Sequence, residues 1–292
     1  MDPFAAKTGI RSEIQLQGGS METLAKLRTN KSRIEDDLWM SAIAPAALAM
    51  QDGLLERIPV DKLTNAADLP APMVNETFVG VWALPYGIIY NAEKVPFEIK
   101  TWEDLFDPRL KGRVSGPYGA NYKGLFIALL ALLAGGNETN ADPGFELAKK
   151  LKPNFSMFTT SDAEQVRLLT AGETDVAAFA PISNYFSARK AGPQFRFVAP
   201  KPYVPVGVNN IVILKDADVN AATRFIDFAV SKEPQEKIAE MLGCLPVNKK
   251  AQFPLALRDA ISPDTELRYI DEAAITPQLA KWDDRWQREV QR

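Results

Sequence analysis

The sequence predicts an α/β protein folded as two lobes, and three observations carry that reading. Short apolar segments alternate with amphipathic ones along most of the chain, the pattern of largely parallel sheets covered by helices. At roughly 150 residues per domain, 292 residues make about two compact units. Two extended proline-containing stretches, 78–91 and 200–207, bracket about 115 residues, so the chain leaves one lobe and later returns to it. The predicted lobes are 1–86 with 206–245, and 87–205 with 246–292. Two crossings imply a cleft between the lobes, where small ligands bind.

The elements follow in order. Residues 3–7 read as a helix ended by Gly9, and Arg11 to Gln17 alternates as a half-buried strand, with Ile14 and Leu16 on one face. Gly18-Gly19 turns the chain and Ser20 caps a helix over 21–29. Leu38-Trp39-Met40 is a short strand, after which Ser41 caps a helix through Met50, with Gly53 beyond its end. Pro85 and Gly87 split 78–91 into two strand pieces joined by a bend. A strand lies near Val114, Asn121 opens an apolar helix closed by Gly135-Gly136, and Asp142-Pro143 starts another. Ser161 and Glu164 form a capping box for a helix ending at Gly172. Residues 175–180 are a buried strand and 183–191 a helix. Three prolines in 200–207 forbid regular pairing there. A strand over 208–214, one helix over 219–242 and a helical tail complete the chain, and Trp282 and Trp286 give the tail a docking stripe.

Composition removes several functions. Lys plus Arg total 34 against 37 Asp plus Glu, and a net charge of −3 argues against nucleic acid as a partner. With no histidine, Ser-His-Asp and Cys-His catalysis and His-based zinc sites are excluded. One cysteine, Cys244, leaves no disulfide framework or iron–sulfur cluster. The longest apolar run, Leu125 to Ala134, is half the length of a membrane span of about 20 residues. Met1-Asp2-Pro3-Phe4 shows no basic segment before an apolar core, so no signal peptide is read in this sequence.

Several landmarks, in order, resemble one family. They are Ala6-Lys7-Thr8-Gly9-Ile10, Gly18-Gly19-Ser20, Asp37-Leu38-Trp39, Gly80 with Ile89-Tyr90-Asn91, and Thr101-Trp102-Glu103-Asp104-Leu105 before Leu110-Lys111-Gly112-Arg113-Val114. Further on come residues 168–177 (LLTAGETDVA), Asn184-Tyr185, and Phe225-Ile226-Asp227-Phe228 with Ser231-Lys232-Glu233. The set is similar to the extracellular solute-binding proteins of ABC importers, in the iron and polyamine branch, and it covers nearly the whole chain. The resemblance implies a periplasmic-binding-protein-like (type II) fold, a small solute closed into the cleft, a periplasmic location and delivery to a membrane permease. Members begin with a strand before the first helix, and here that N-terminal strand is missing from the expected pattern.

Candidate ligand residues follow. Loops at strand C-termini and helix N-termini offer free N–H groups, which points to the caps Ser20, Ser41, Asn121 and Ser161, each of which also reads as a plain helix cap. Trp82 and Tyr86 could give flat faces to a cation or pack at the hinge, and Tyr118 and Tyr122 share that ambiguity. Where ferric binders of the family carry two adjacent tyrosines, this chain has Tyr185-Phe186, which disfavours iron. Asp162 is the acidic candidate for an amine, and Asn209 stands where an acid is expected. The sum is a receptor for a small amine, polyamine or amino-acid-like solute, working as a monomer with no cofactor and no catalysis. Ferric-ion binding is the alternative within the family. An enzyme using Cys244 is a further alternative, set against by Leu242 and Leu245 around that thiol, which read as packing. No helix-turn-helix segment precedes the fold to make it a regulator.

Overall fold

The computed structural model describes residues 3–292 apart from Gln17, Ser32, Tyr118, Asp259 and Pro263, with backbone alone at 119, 121 and 273. The elements run α1 (Pro3–Thr8), α2 (Ser20–Thr29), β1 (Leu38–Ala42), α3 (Ile43–Gln51), β2 (Leu55–Glu56), β3 (Val79–Asn91), β4 (Val114–Gly116) and α4 (Gly119–Leu133). Then come α5 (Asp142–Leu151), β5 (Phe155–Phe158), α6 (Asp162–Ala171), β6 (Val176–Pro181), α7 (Ile182–Arg189), β7 (Phe195–Val198) and β8 (Val204–Leu214). The chain closes with α8 (Val219–Ala229), α9 (Lys232–Leu242), β9 (Leu245–Pro246), α10 (Leu255–Arg258), β10 (Leu267–Tyr269), α11 (Glu272–Ile275) and α12 (Leu279–Trp286).

Two compact units emerge. Unit 1 comprises residues 1–83 and 208–254, and unit 2 comprises 84–207 and 255–292. The boundaries at 83–84 and 207–208 fall inside β3 and β8, so both long strands serve both units.

In unit 1, β1 and β2 pair antiparallel with β8, and the start of β3 pairs antiparallel with β9. Helices α2 and α3 cover one face, where Leu24, Leu27, Trp39, Ala46, Ala49 and Val212 form a buried cluster. Asn248 and Gln235 stitch the C-terminal part of this unit from inside. Asn248 Nδ2 donates to Val230 O, and Gln235 Nε2 to Val81 O, both at 2.8 Å.

In unit 2, β4 lies between β5 and β6 in parallel pairing, while β6 and β7 flank β3 antiparallel. The core holds Trp102, Phe126, Phe145, Phe179 and Trp286. Trp282 and Trp286 of α12 are 5% and 0% exposed, so the predicted stripe docks.

Several expectations need correction. The sheets are not largely parallel, because every ladder of β3 with β6, β7 and β9, and of β8 with β1 and β2, is antiparallel. Residues 11–16 form no strand, Gln17 lying outside the described residues, and Ile14 and Leu16 are 79% and 97% exposed. Alternation makes a strand only where a neighbour supplies the ladder, and none of the described residues does so here. Residues 79–91 are one strand whose register with β6 shifts between Gly87 and Ile89, a bulge that absorbs the irregularity without a break. Pro205 is paired after all, because β10 runs parallel beside Val204–Val206. The span 219–242 is two helices. Pro234 is third in α9, a position it tolerates only in a first turn. The tail is interrupted by β10.

Candidate functional site

Unit 2 gathers its polar and aromatic candidates at one edge of its sheet. Because β4, β5 and β6 run parallel, their C-terminal ends share an edge, and α4, α6 and α7 start there. The antiparallel register Tyr86↔Pro181 brings β3 to the same edge.

Tyr86 is 4% exposed and forms the centre of the cluster. Its ring stacks on Phe179 at 4.7 Å and 2°, and meets Tyr122 edge-on at 5.3 Å. Phe179 sits at φ +55°, a left-handed conformation that an aromatic residue adopts only when its surroundings hold it there. Gly207 lies beneath the phenol, and a Cβ at that position would stand 2.7 Å from Tyr86 Cε2. Burial pushes the Tyr86 hydroxyl well above the usual phenol range, helped by Tyr122 and by the negative charges of Glu272 and Asp162. The hydroxyl therefore stays protonated, hydrogen-bonded with Tyr122.

Asp162 opens α6. Ser161 caps that helix, its Oγ accepting from Glu164 N at 3.2 Å, as the capping-box spacing predicts. Glu164 reaches one residue further back than expected and accepts from Thr160 N. Asn184 of α7, buried, donates to Asp162 Oδ1 at 2.9 Å and Gln165 Oε1 at 3.0 Å, which fixes α6 to α7 and sets the carboxylate's direction. Glu272, 3% exposed, opens α11. Two carboxylates, two phenols and a phenyl ring thus act on one spot. Anionic oxygens beside aromatic faces in a low-dielectric setting attract an organic cation.

The other candidates in unit 2 stand apart from this cluster or beyond description. The ring contacts of Tyr185 are with Phe186 and with Phe197 of β7. Tyr118 lies outside the described residues. Asn121 is the third residue of α4, which begins at Gly119, so it does not open the helix, and its side chain also lies outside the described residues.

In unit 1, Ser20 is the first residue of α2 behind an N-cap at Gly19 and does not cap the helix. Its Oγ accepts instead from Ala42 N at 3.3 Å. Ser41 is not a cap either. It is the fourth residue of β1, 1% exposed, and donates to Ala42 O at 2.9 Å, because the strand runs two residues further than the apolar pattern suggests. Ser41 pairs opposite Asn210 and Ala42 opposite Asn209, so Ser41 and Asn210 share one face of the sheet and Asn209 lies on the other. Trp82, half-buried, pairs opposite Pro246 in the ladder with β9.

Sequence reasoning missed Phe179 and Glu272. A positive φ at an aromatic residue leaves no local signal. Glu272 follows β10, whose pairing with β8 joins residues 63 apart in sequence. Cys244 is fully buried, and desolvation pushes its thiol up to about 12, so it carries no nucleophile at neutral pH. No helix among the described residues is long and apolar enough to cross a membrane.

Comparison with known proteins gives a consistent picture. The family model described as bacterial extracellular solute-binding protein matches residues 1–266. The spermidine/putrescine-binding periplasmic protein of Escherichia coli (strain K12) is 25% identical over 276 residues, spanning 90% of this chain and 76% of its own. Iron uptake protein A1 of Synechocystis sp. (strain PCC 6803) is 27% identical over 288 residues, 89% of this chain and 77% of that one. The fold matches the crystal structure of an ABC transporter from Clostridium perfringens, with a TM-score of 0.86 and 24% identity over 99% of this chain and 94% of that one.

Proposed function

The chain belongs to the bacterial extracellular solute-binding proteins, and from that membership we propose that it captures a small ammonium-bearing solute for the permease of an ABC importer. The observation that carries this reading is the Tyr86 cluster, in which the charges of Asp162 and Glu272 act on a buried phenol packed against Tyr122 and Phe179. An ammonium group there exchanges water for carboxylate oxygens and ring faces. The polyamine-binding relative has a cargo of the same charge. In this reading the protein works in the periplasm as a monomer, with the solute and the permease as partners and nucleic acid as none. It performs no chemistry: Cys244 is sealed in the core, and histidine is absent from the chain.

A thermal-shift screen of putrescine, spermidine, amino acids, ferric citrate and simple organic acids tests this. A ligand at about a hundredfold its Kd adds about 2.7 kcal/mol to the folded state. An amine is expected to raise Tm, and Asp162→Asn to reduce that rise; a rise with ferric citrate alone overturns the amine reading. Ferric ion is the second reading, favoured by the iron-uptake relative. Against it, Tyr185 is followed by Phe186 where ferric binders of the family carry two adjacent tyrosines.

A further inference from the structure

Phe179 lies on the face of its strand that regular alternation would deny it. On β3, Tyr86, Ile88 and Tyr90 point into the core beneath α4 and α12, while Ile89 points into the smaller cluster against α6 and α7. Strand β6 begins with the same alternation: Val176 and Ala178 join the first cluster and Ala177 the second. Continued, that pattern would send Phe179 toward α6 and α7 and give Ala180 to the Tyr86 face. The reverse is found, with Phe179 in the first cluster and Ala180 in the second.

The register accounts for the exchange. Ile89 pairs opposite Ala177 and Gly87 opposite Ala180, so Ile88 alone stands against both Ala178 and Phe179. The extra residue belongs to β6, because Ile88 keeps its regular place opposite Val198 in the ladder with β7. In a two-against-one bulge the left-handed position is ordinarily filled by glycine. Here Phe179 holds a left-handed backbone, at φ +55°. A side chain in that conformation is strained, and the strain persists only where surrounding contacts over-determine it.

Those contacts are aromatic. The Phe179 ring stacks on Tyr86 at 4.7 Å and meets Phe126 at 5.3 Å and Trp102 at 6.4 Å. Tyr86 is thereby held on its flat face by Phe179, at its edge by Tyr122, and against Gly207, where a Cβ would not fit. With regular pairing the same face would receive Ala180, which has no ring to offer.

We infer that Phe179 is a positioning residue of the amine site: the β6 bulge aims its ring at Tyr86, and the stack fixes the phenol in the orientation that the solute meets. This rests on the reading that the cargo bears an ammonium. A ring held in place before the solute arrives has no rotamer freedom left to lose on binding, so affinity depends on Phe179 through Tyr86.

Calorimetric titration of the wild type, Phe179→Leu and Phe145→Leu with putrescine and with spermidine is the test. Phe145 of α5 is as deeply buried in the same core and meets Arg285 at 4.0 Å. Both variants are expected to lower Tm. At a temperature where all three proteins are folded, only Phe179→Leu is expected to weaken the amine, by about tenfold. Should that variant fail to fold, Phe179→Met, whose unbranched side chain adapts to the same space, carries the same comparison. A second arm reads the bulge by thermal melts in sucrose, which strengthens the folded state. Phe179→Gly is expected to melt above Phe179→Ala, because glycine takes a positive φ without strain; in a regular strand the order is the opposite. If an amine binds the wild type and Phe179→Leu equally well, or if Phe145→Leu loses as much affinity, the positioning role is wrong and the amine reading survives. If Phe179→Ala melts above Phe179→Gly, residue 179 is not left-handed and the bulge does not aim the ring. If neither amine binds the wild type, the amine reading falls and the positioning role falls with it.

Discussion

Cys244 and Tyr86 show how burial alone sets what a side chain can do. The thiol of an unfolded chain ionises near 9.0, and the folded one not until about 12, because desolvation penalises the thiolate. The sign follows directly. Below pH 9 both states keep the proton and stability is unaffected; between 9 and 12 only the unfolded state releases it, so stability falls as pH rises through that window. Cys244→Ser is therefore expected to flatten alkaline unfolding between pH 9 and 12, and urea melts at pH 7 and 10 would show it. The same variant is expected to leave solute affinity unchanged, and iodoacetamide to label native Cys244 only at the rate of unfolding. At Tyr86 the raised phenol means that ionisation of this hydroxyl should not alter solute affinity between pH 7 and 9; a rise in affinity in that range, as a phenolate drew the ammonium more strongly, would mean that the cluster is less enclosed than described.

At the scale of elements, close approach explains the glycines of the two long strands. A Cβ on Gly87 would overlap the Val198 carbonyl oxygen of the neighbouring strand, a backbone atom with nowhere to go. Gly87→Ala is expected to cost about 1–3 kcal/mol, read as a lower urea midpoint with unchanged slope. Gly207 touches the Tyr86 ring instead, so Gly207→Ala is expected to displace that ring and weaken amine binding by about tenfold at a smaller cost in stability. The comparison of the two variants separates a glycine kept for the sheet from one kept for the site. Ser161→Ala removes the cap of α6 and with it about 1 kcal/mol, and it loosens the turn that presents Asp162. Its amine affinity is expected to fall less than that of Asp162→Asn, because Asn184 still holds the carboxylate. Much of this level was legible in sequence. The S-x-x-E spacing gave α6 its start, Gly172 its left-handed end at φ +74°, and the i,i+4 tryptophans their buried face. Ser20, Ser41 and Asn121 were misread as caps for a shared reason: a polar residue after an apolar run marks a boundary, but hydrogen bonds fix it to the residue, and β1 and α4 each extend past the change in polarity.

At the scale of the molecule, two units share two strands, and the acidic, aromatic candidate cluster lies in unit 2. Addition of solute-loaded protein to vesicles holding the cognate permease is expected to raise ATP hydrolysis above that seen with the ligand-free protein, and Asp162→Asn to abolish the rise at limiting solute. The sequence by itself determined the class of the protein, since periodicity, turn residues and an ordered set of family landmarks are local signals that survive in one dimension. It also determined what the protein lacks, namely histidine and a second cysteine. The tertiary structure decided the direction of the strands, the conformation of Phe179 and the arrival of Glu272. Each of these depends on which segments lie side by side after folding, and hydrogen-bond partners, desolvation and charge–charge energies exist only once those neighbours are in place.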